Sequence, residues 1–320
     1  MPESSLSLVA DLGATNARFA LVDSSGIRDV EILRGADYPS LEAAAAAYLA
    51  RISPDRAPRR AAIAIAGPVV GQEFSLTNLA WSFSIEGVCA ALGLDRLTVV
   101  NDFTALALAL PHLTQGDLAQ IGDGTPEPGG TMGVIGPGSG LGVSGVVSCG
   151  DGWVALAGEG GHVTMPAVTE REAQVLEHLH RRFHHVSAER VVSGMGLANL
   201  YETLAAIDGE DDIRPREPKE ITERALAGND PFCLEAVEMF CDMLGTVAGN
   251  LALTLGSTGG IFIAGGIVPK LGPFFERSRF RERFEAKGRM RPYLSRIPTY
   301  VVTHPLPAFI GLKSVLERQG

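Results

Sequence analysis

One pattern, used twice, constrains this chain more than any other feature. Residues 6–12 (LSLVADL) form a short apolar run that reaches Asp11 and the turn GATN; ARFALV (17–22) follows, and DSSG closes the pair. Past residue 130 the layout returns as TMGVIG, a glycine-rich turn, GVSGVVS and a second turn, CGDG. Each copy reads as two strands joined at a glycine bend. A repeated hairpin predicts a duplicated domain, and 320 residues suffice for two domains that bury most of their apolar surface.

The intervening segments fit the same scheme. Residues 40–52 are alanine-rich and predict a helix; RRAAIAIAGPV then gives a buried strand stopped at Gly67-Pro68. A helix over 84–92 and a buried strand, LTVVNDF (97–103), come next. Strand, helix and strand in this order predict an α/β domain with a largely parallel core. Ligand sites on such sheets gather at the carboxyl ends of strands, where Asp11, Gly67 and Asn101-Asp102 fall. QIGDGTPEPGG (120–130) predicts a surface loop, and helices are expected over 170–184, 196–206, 220–227 and 231–255. IFIAGGIV (261–268) and PTYVVTH add strands, and AFIGLKSVLER a closing helix.

A formal charge of −10 with 46% hydrophobic residues disfavours polyanionic partners, so no nucleic acid is expected. Arg56, Arg59 and Arg60, and the run from Arg277 to Arg291, read as solvated faces. The start MPESSLSLVADLG has no basic n-region or long apolar core, and no 18 apolar residues run uninterrupted, so neither a leader nor a membrane span is expected. Cys89, Cys149, Cys233 and Cys241 lack C-x-x-C spacing. They read as reduced, buried thiols of a cytoplasmic protein, with no structural zinc.

Within GPGSGLGVSG (136–145), Gly140, Gly142 and Gly145 satisfy G-x-G-x-x-G, and Glu159 lies about 20 residues on, where a dinucleotide fold would hold a ribose. A dinucleotide turn must open a helix, yet VVSCGDG follows, a β-branched run suited to a strand. No G-x-x-x-x-G-K-[ST] occurs either. What remains is two hairpins, DLGATN and GPGSGLG, whose N–H groups can cradle phosphates. Asp11 is placed to hold Mg²⁺ through water. His178, His180, His184 and His185 suggest a metal cluster, but Val175, Leu176, Leu179 and Phe183 mark the buried side, which leaves most of the histidines on a solvated face.

DLGATNARFAL, VVNDFTA, IGPGSGLGVS, GEGGHV, ERVVSG and IFIAGGI stand in the order seen in bacterial glucokinases, and YLSRIPTYVVTHPLPAFIGL closes in the same way. The chain thus resembles the bacterial glucokinase family of the hexokinase, actin and Hsp70 ATPase superfamily over nearly its whole length. The resemblance implies two ribonuclease-H-like (actin-like ATPase) α/β domains around an interdomain cleft. The small one would comprise 1–111 plus 303–320; the large one, 112–302, would carry most nucleotide and sugar contacts. It implies ATP-dependent phosphorylation of glucose at its 6-hydroxyl, with ATP, Mg²⁺ and a homodimer. By position, Asp102 is the catalytic base, and Asn101, Asp102, Glu159, His162 and Glu189 are sugar ligands. Ala10, Asp11, Leu12, Gly13, Ala14 and Thr15, with Gly136, Gly138, Ser139 and Gly140, hold the phosphates, while Gly265 and Gly266 approach the adenosine. Ala14 departs from the family, which commonly has glycine there. The cysteine-rich zinc motif of the related repressor-like sugar kinases is missing.

Phosphoryl transfer asks for positioning and charge neutralisation. A carboxylate at Asp102 would accept the attacking hydroxyl's proton late in the transfer; its structural alternative is an N-cap, because NDFTALALAL reads as a helix start. Carboxylates and imidazole suit sugar hydroxyls, which both donate and accept; Glu189 is also compatible with an exposed helix start. A kinase for another hexose or an amino sugar, a sugar-sensing nucleotide-binding regulator and a nicotinamide oxidoreductase are the alternatives.

Overall fold

The computed structural model describes residues 6–76, 80–210 and 213–318. The expected domain bounds also take in residues 1–5, 77–79, 211–212 and 319–320, which lie outside the described residues. Two compact units emerge. One comprises Met1–Leu113, Trp153–Ala157 and Pro305–Gly320; the other comprises Thr114–Gly152 and Gly158–His304.

The first sheet contains β1 (Ser7–Leu12), β2 (Asn16–Asp23), β3 (Gly26–Arg34), β4 (Arg60–Ile65) and β7 (Arg96–Asn101), in the order β3-β2-β1-β4-β7. A small ribbon of β5 (Glu73–Ser75) and β6 (Ser82–Ser84) stands apart from it. β1, β2 and β3 form an antiparallel meander, and β4 and β7 extend β1 in parallel. The second sheet orders β8 (Leu118–Ile121), β9 (Met132–Pro137), β10 (Leu141–Cys149), β11 (Gly152–Leu156), β12 (Gly260–Ile263) and β13 (Thr299–Val302) as β11-β10-β9-β12-β13-β8. Here β9 and β10 are antiparallel, while β12 and β13 continue β9 in parallel. Apart from β8, strand order and direction repeat the first sheet where both are given, so the repeated hairpin is the start of a repeated winding.

Several readings need correcting. The loop 120–130 begins inside β8, which pairs antiparallel with β13 because Thr299 Oγ1 and the strand's backbone hold Ile121. The strand 261–268 stops at Ile263, since Gly265 bends the chain with φ +83° before the short helix Val268–Leu271. β3 and β11 continue past turns that seemed to close their hairpins. Helices at Leu41–Ile52, Ile85–Leu92 and Pro231–Leu255 match their periodicities, and Ser40, Ser84 and Asp230 cap them by accepting from backbone amides. The long helix Pro231–Leu255 is apolar enough to span a membrane, yet 72% of its apolar window is buried in the protein.

The core of the first unit stacks Phe19 on Tyr48 at 5.4 Å, and the Tyr48 hydroxyl donates to the Asp29 carbonyl at 2.7 Å. The closing helix Pro307–Glu317 lies on the helix Asp102–Ala109, so close that a β-carbon on Gly311 would meet the Ala105 carbonyl. This contact fixes the helix on which Asp102 sits.

In the second unit Arg277, Arg279, Arg289 and Arg291 of the basic run are exposed as expected, but Arg283 turns inward. Arg283 is 4% exposed and pairs at 2.7 Å with Glu172, itself 2% exposed. Glu172 also accepts from Val168 N at 2.6 Å and closes a capping box with Thr169 at the start of the helix Glu170–Arg182. Among the thiols, Cys149 is exposed, contrary to expectation, whereas burial pushes Cys241 up to about 12.

Glu172→Ala removes the nearer partner of Arg283 and leaves only Asp242, at 3.8 Å, to offset its charge, so urea denaturation should show a loss of about 3 kcal/mol. A loss within experimental error would mean the pair is dispensable. A second expectation concerns Lys287, whose ammonium donates to Thr246 O at 2.9 Å and Asn250 Oδ1 at 2.7 Å. Burial, aided by the Arg283 charge, pushes Lys287 down to about 8. The unfolded chain then holds the extra proton between about 8 and the ordinary lysine value, so stability rises with pH across that window. Lys287→Met should flatten this rise by on the order of 1 kcal/mol, the full shift being discounted for partial exposure; denaturation curves from pH 7 to 10 check it.

Candidate active site

The carboxyl ends of three adjacent parallel strands meet in the first unit. Leu12 pairs with Ile65, and Ile65 with Asn101, in one lateral row. With strands about 4.8 Å apart, the first phosphate hairpin and the Asn101-Asp102 pair sit roughly 10 Å from each other along one sheet edge. Ala10, Asp11 and Leu12 are the last residues of β1, and Gly13 N–H donates to Asn16 O at 3.0 Å to close the turn. Ala14 and Thr15 occupy the exposed tip. Left-handed backbone among non-glycine residues is confined, in the described chain, to Asp29 and Ser53. The alanine that replaces the usual glycine at 14 therefore adopts an ordinary conformation.

Asp11 is not free. Arg18, its cross-strand neighbour on β2, donates from Nη1 to Oδ2 at 2.8 Å. Burial pushes the Asp11 carboxyl up from the ordinary range, and Arg18 pulls the other way. One carboxylate oxygen is thus engaged. Among the described residues no group of three His, Cys, Asp or Glu side chains could cage a metal. This donor set fits an ion that arrives on a nucleotide and keeps its waters, with Asp11 reaching one of them. Arg18 was not singled out from the sequence, although strand alternation across the hairpin could have found it.

At the end of β7 the cap belongs to Asn101, not Asp102. Asn101 Oδ1 accepts from Phe103 N at 2.9 Å and Thr104 N at 3.1 Å, while Nδ2 donates to Gly67 O at 3.1 Å. One Nδ2 hydrogen remains beyond the Gly67 bond. Asp102 opens the helix, its Oδ1 on Phe103 N at 2.9 Å, where the positive end of the helix dipole favours a carboxylate.

In the second unit the hairpin after β9 gathers the other motifs. Its tip is closed by Gly138 N–H on Gly140 O at 2.8 Å, and Gly138 O accepts from Gly194 N at 2.8 Å. The glycine-rich turn joins two antiparallel strands and opens no helix, which removes the dinucleotide reading. Glu189, on the single turn Ala188–Arg190, accepts from Leu141 N at 2.9 Å. Its other oxygen lies 4.0 Å from His162 Nδ1. Glu159 and His162 flank the turn Gly160–His162 and are exposed. A β-carbon on Gly161 would collide with the Leu141 carbonyl, so this turn rests directly on the first residue of β10. Gly265 is held against the Pro137 carbonyl with φ +83°, beside Gly266. Gly136, Gly138, Ser139, Gly140, Glu159, His162, Glu189 and Gly265 are thereby linked through one stretch of backbone. The histidines of the helix Glu170–Arg182 and its extension are not among them; His180, His184 and His185 are exposed.

Known proteins extend this picture over the full chain. The family model described as Glucokinase matches residues 8–319. A protein named Glucokinase from Paramagnetospirillum magneticum is 52% identical over 316 residues, covering 98% of both chains. The Bifunctional protein glk of Burkholderia pseudomallei is also 52% identical, and there this chain spans 48% of the relative. A crystal structure of glucokinase from an Antarctic psychrotroph shares 37% identity and superimposes with a TM-score of 0.89, covering 98% of this chain and 99% of that one. The chain belongs to the glucokinase family.

Proposed function

We propose that this protein is a glucokinase that transfers the γ-phosphoryl group of ATP to the 6-hydroxyl of glucose. The observation that carries the reading is the full-length match to glucokinases, since it covers both hairpins and every carboxylate assigned below. The two similarly wound units are read as ribonuclease-H-like domains of the actin-like ATPase kind. The proposed domain bounds are 1–111 plus 303–320 for the smaller and 112–302 for the larger, which would carry most nucleotide and sugar contacts; the compact units differ from them chiefly in placing Trp153–Ala157 with the smaller.

In this reading the amides of Ala14 and Thr15, and those of Ser139 and Gly140, face the phosphate chain, with Gly265 and Gly266 beside the adenosine. Bound Mg²⁺ supplies charge neutralisation on the phosphates. Arg18 holds one oxygen of Asp11, so that the other would be available to a hydrated ion carried on the nucleotide. Asn101 offers its remaining amide hydrogen to the sugar. Asp102 accepts the proton of the attacking hydroxyl and orients that oxygen toward phosphorus. Glu159, His162 and Glu189 bind the other hydroxyls, and a sugar lacking one of them leaves a polar group unpaired. The homodimer and the cytoplasmic location belong to the same reading, as does the absence of nucleic-acid and membrane partners.

An ADP-release assay with glucose and MgATP tests the whole; no glucose-dependent ADP would defeat it. Asp102→Asn should keep glucose affinity while kcat falls about 10²- to 10⁴-fold; a wild-type kcat would remove Asp102 from the mechanism. Ala14→Gly should leave the KM for ATP within about twofold, as for a surface change free of strain, and a larger drop in KM would show the methyl group obstructing the nucleotide.

A further inference from the structure

One carboxylate in the second unit touches the elements assigned to both substrates. Glu189 Oε2 accepts from the Leu141 amide at 2.9 Å, at the foot of the phosphate hairpin. Its Oε1 faces His162 Nδ1 at 4.0 Å, on the side of the expected sugar ligands. The side chain is 21% exposed, and its own backbone is fixed, since Ser193 Oγ donates to Glu189 O at 2.7 Å. The hairpin is fastened a second time, to the start of the following helix Gly194–Ile207, through Gly194 N–H on Gly138 O at 2.8 Å.

The carboxylate also explains a glycine. Gly140 has no left-handed φ, so its conformation does not demand glycine. A β-carbon there would run into Glu189 Oε2. A side chain at 140 would therefore require the Glu189 carboxylate to shift. The neighbouring Gly138 has open space around its missing β-carbon, so this crowding is specific to 140.

We propose that Glu189 is a positioning residue that couples the two substrate sites: by gripping the Leu141 amide with one oxygen and a sugar hydroxyl with the other, it transmits sugar occupancy to the phosphate hairpin. The proposal rests on the sugar and phosphate assignments above. A carboxylate accepts from the Leu141 amide with one oxygen and from a sugar hydroxyl with the other, whereas an alanine methyl at 189 reaches neither. A sugar hydroxyl that fixes Oε1 also fixes Oε2, and the ordered hairpin then presents its tip amides to phosphate at lower entropic cost. Nucleotide affinity must rise when sugar is bound, and by linkage sugar affinity must rise equally with nucleotide.

Isothermal titration of a non-hydrolysable ATP analogue with Mg²⁺, with and without saturating glucose, measures this coupling. Wild-type protein should bind the analogue about 5- to 150-fold more tightly with glucose present, the usual range of coupling. In Glu189→Ala, at glucose saturating for that variant, the ratio should fall to about 2 or less. Gly140→Ala supplies a second reading: its methyl group displaces the carboxylate, so glucose affinity should drop at least tenfold although the altered residue lies in the phosphate hairpin. Thermal melting of both variants verifies that they fold. A wild-type ratio near 1, an unchanged ratio in Glu189→Ala, or unchanged glucose affinity in a folded Gly140→Ala would each overturn the proposal. Glucose-dependent ADP release by the wild-type protein is measured alongside. If it is present while the coupling test fails, the coupling alone is wrong; if it is absent, the functional reading itself falls.

Discussion

Three distant segments pack against the backbone at Pro137, Gly140 and Leu141, while the tip of the hairpin at Gly138 and Ser139 stays open. Gly265 lies against the Pro137 carbonyl, Glu189 fills the space beside Gly140, and Gly161 lies against the Leu141 carbonyl. Each contact is closer than a side chain would permit. The consequence is mechanical. Segments separated by over a hundred residues are fixed to one short stretch of strand, so small movements of the hairpin are felt at all of them. In the proposed reading such a site would need few side chains of its own, because the donors assigned to phosphate are amides already held by the sheet.

The first unit reaches a comparable rigidity by different means. Its hairpin is braced by the Asp11–Arg18 ion pair across β1 and β2, and its acidic strand end by the Asn101 cap and the Gly67 carbonyl. The helix that begins at Asp102 is clamped from behind by Pro307–Glu317 through Gly311. Asn101 Oδ1 accepts from both Phe103 N and Thr104 N and so caps the helix, while Asp102 Oδ1 accepts from Phe103 N; in the proposed reading the carboxylate, not the amide, takes the hydroxyl's proton.

Much of this was legible in the sequence, for identifiable reasons. Strand ends at Leu12, Ile65 and Asn101 show as apolar runs stopped by Gly, Pro or polar residues, and a strand that stops there on a parallel sheet must present its last residues to a ligand edge. The hairpin after β9 was separable from a dinucleotide turn because β-branched residues follow it. The long helix Pro231–Leu255 announced both ends, with Asp230-Pro231 at one and Gly256 at the other. What stayed hidden was pairing across distance. Nothing near Glu189 in sequence points to Leu141, 48 residues away, and nothing near Arg283 points to Glu172. The basic run looked like a solvated face because composition alone cannot show which of its members turns inward to a buried acid.

That blind spot bears on how the glycines should be read. In GPGSGLG every glycine invites the same explanation, backbone freedom for a phosphate, yet none of Gly136, Gly138 and Gly140 takes a left-handed φ. Gly138 faces open space, whereas Gly140 faces a carboxylate. Two glycines in one motif are thus held by different constraints: bare access to the backbone at one, and room for a side chain from elsewhere in the fold at the other. On the proposed assignments the first constraint would concern one substrate and the second would link two, so that a hairpin assigned to phosphate depends on a residue assigned to sugar.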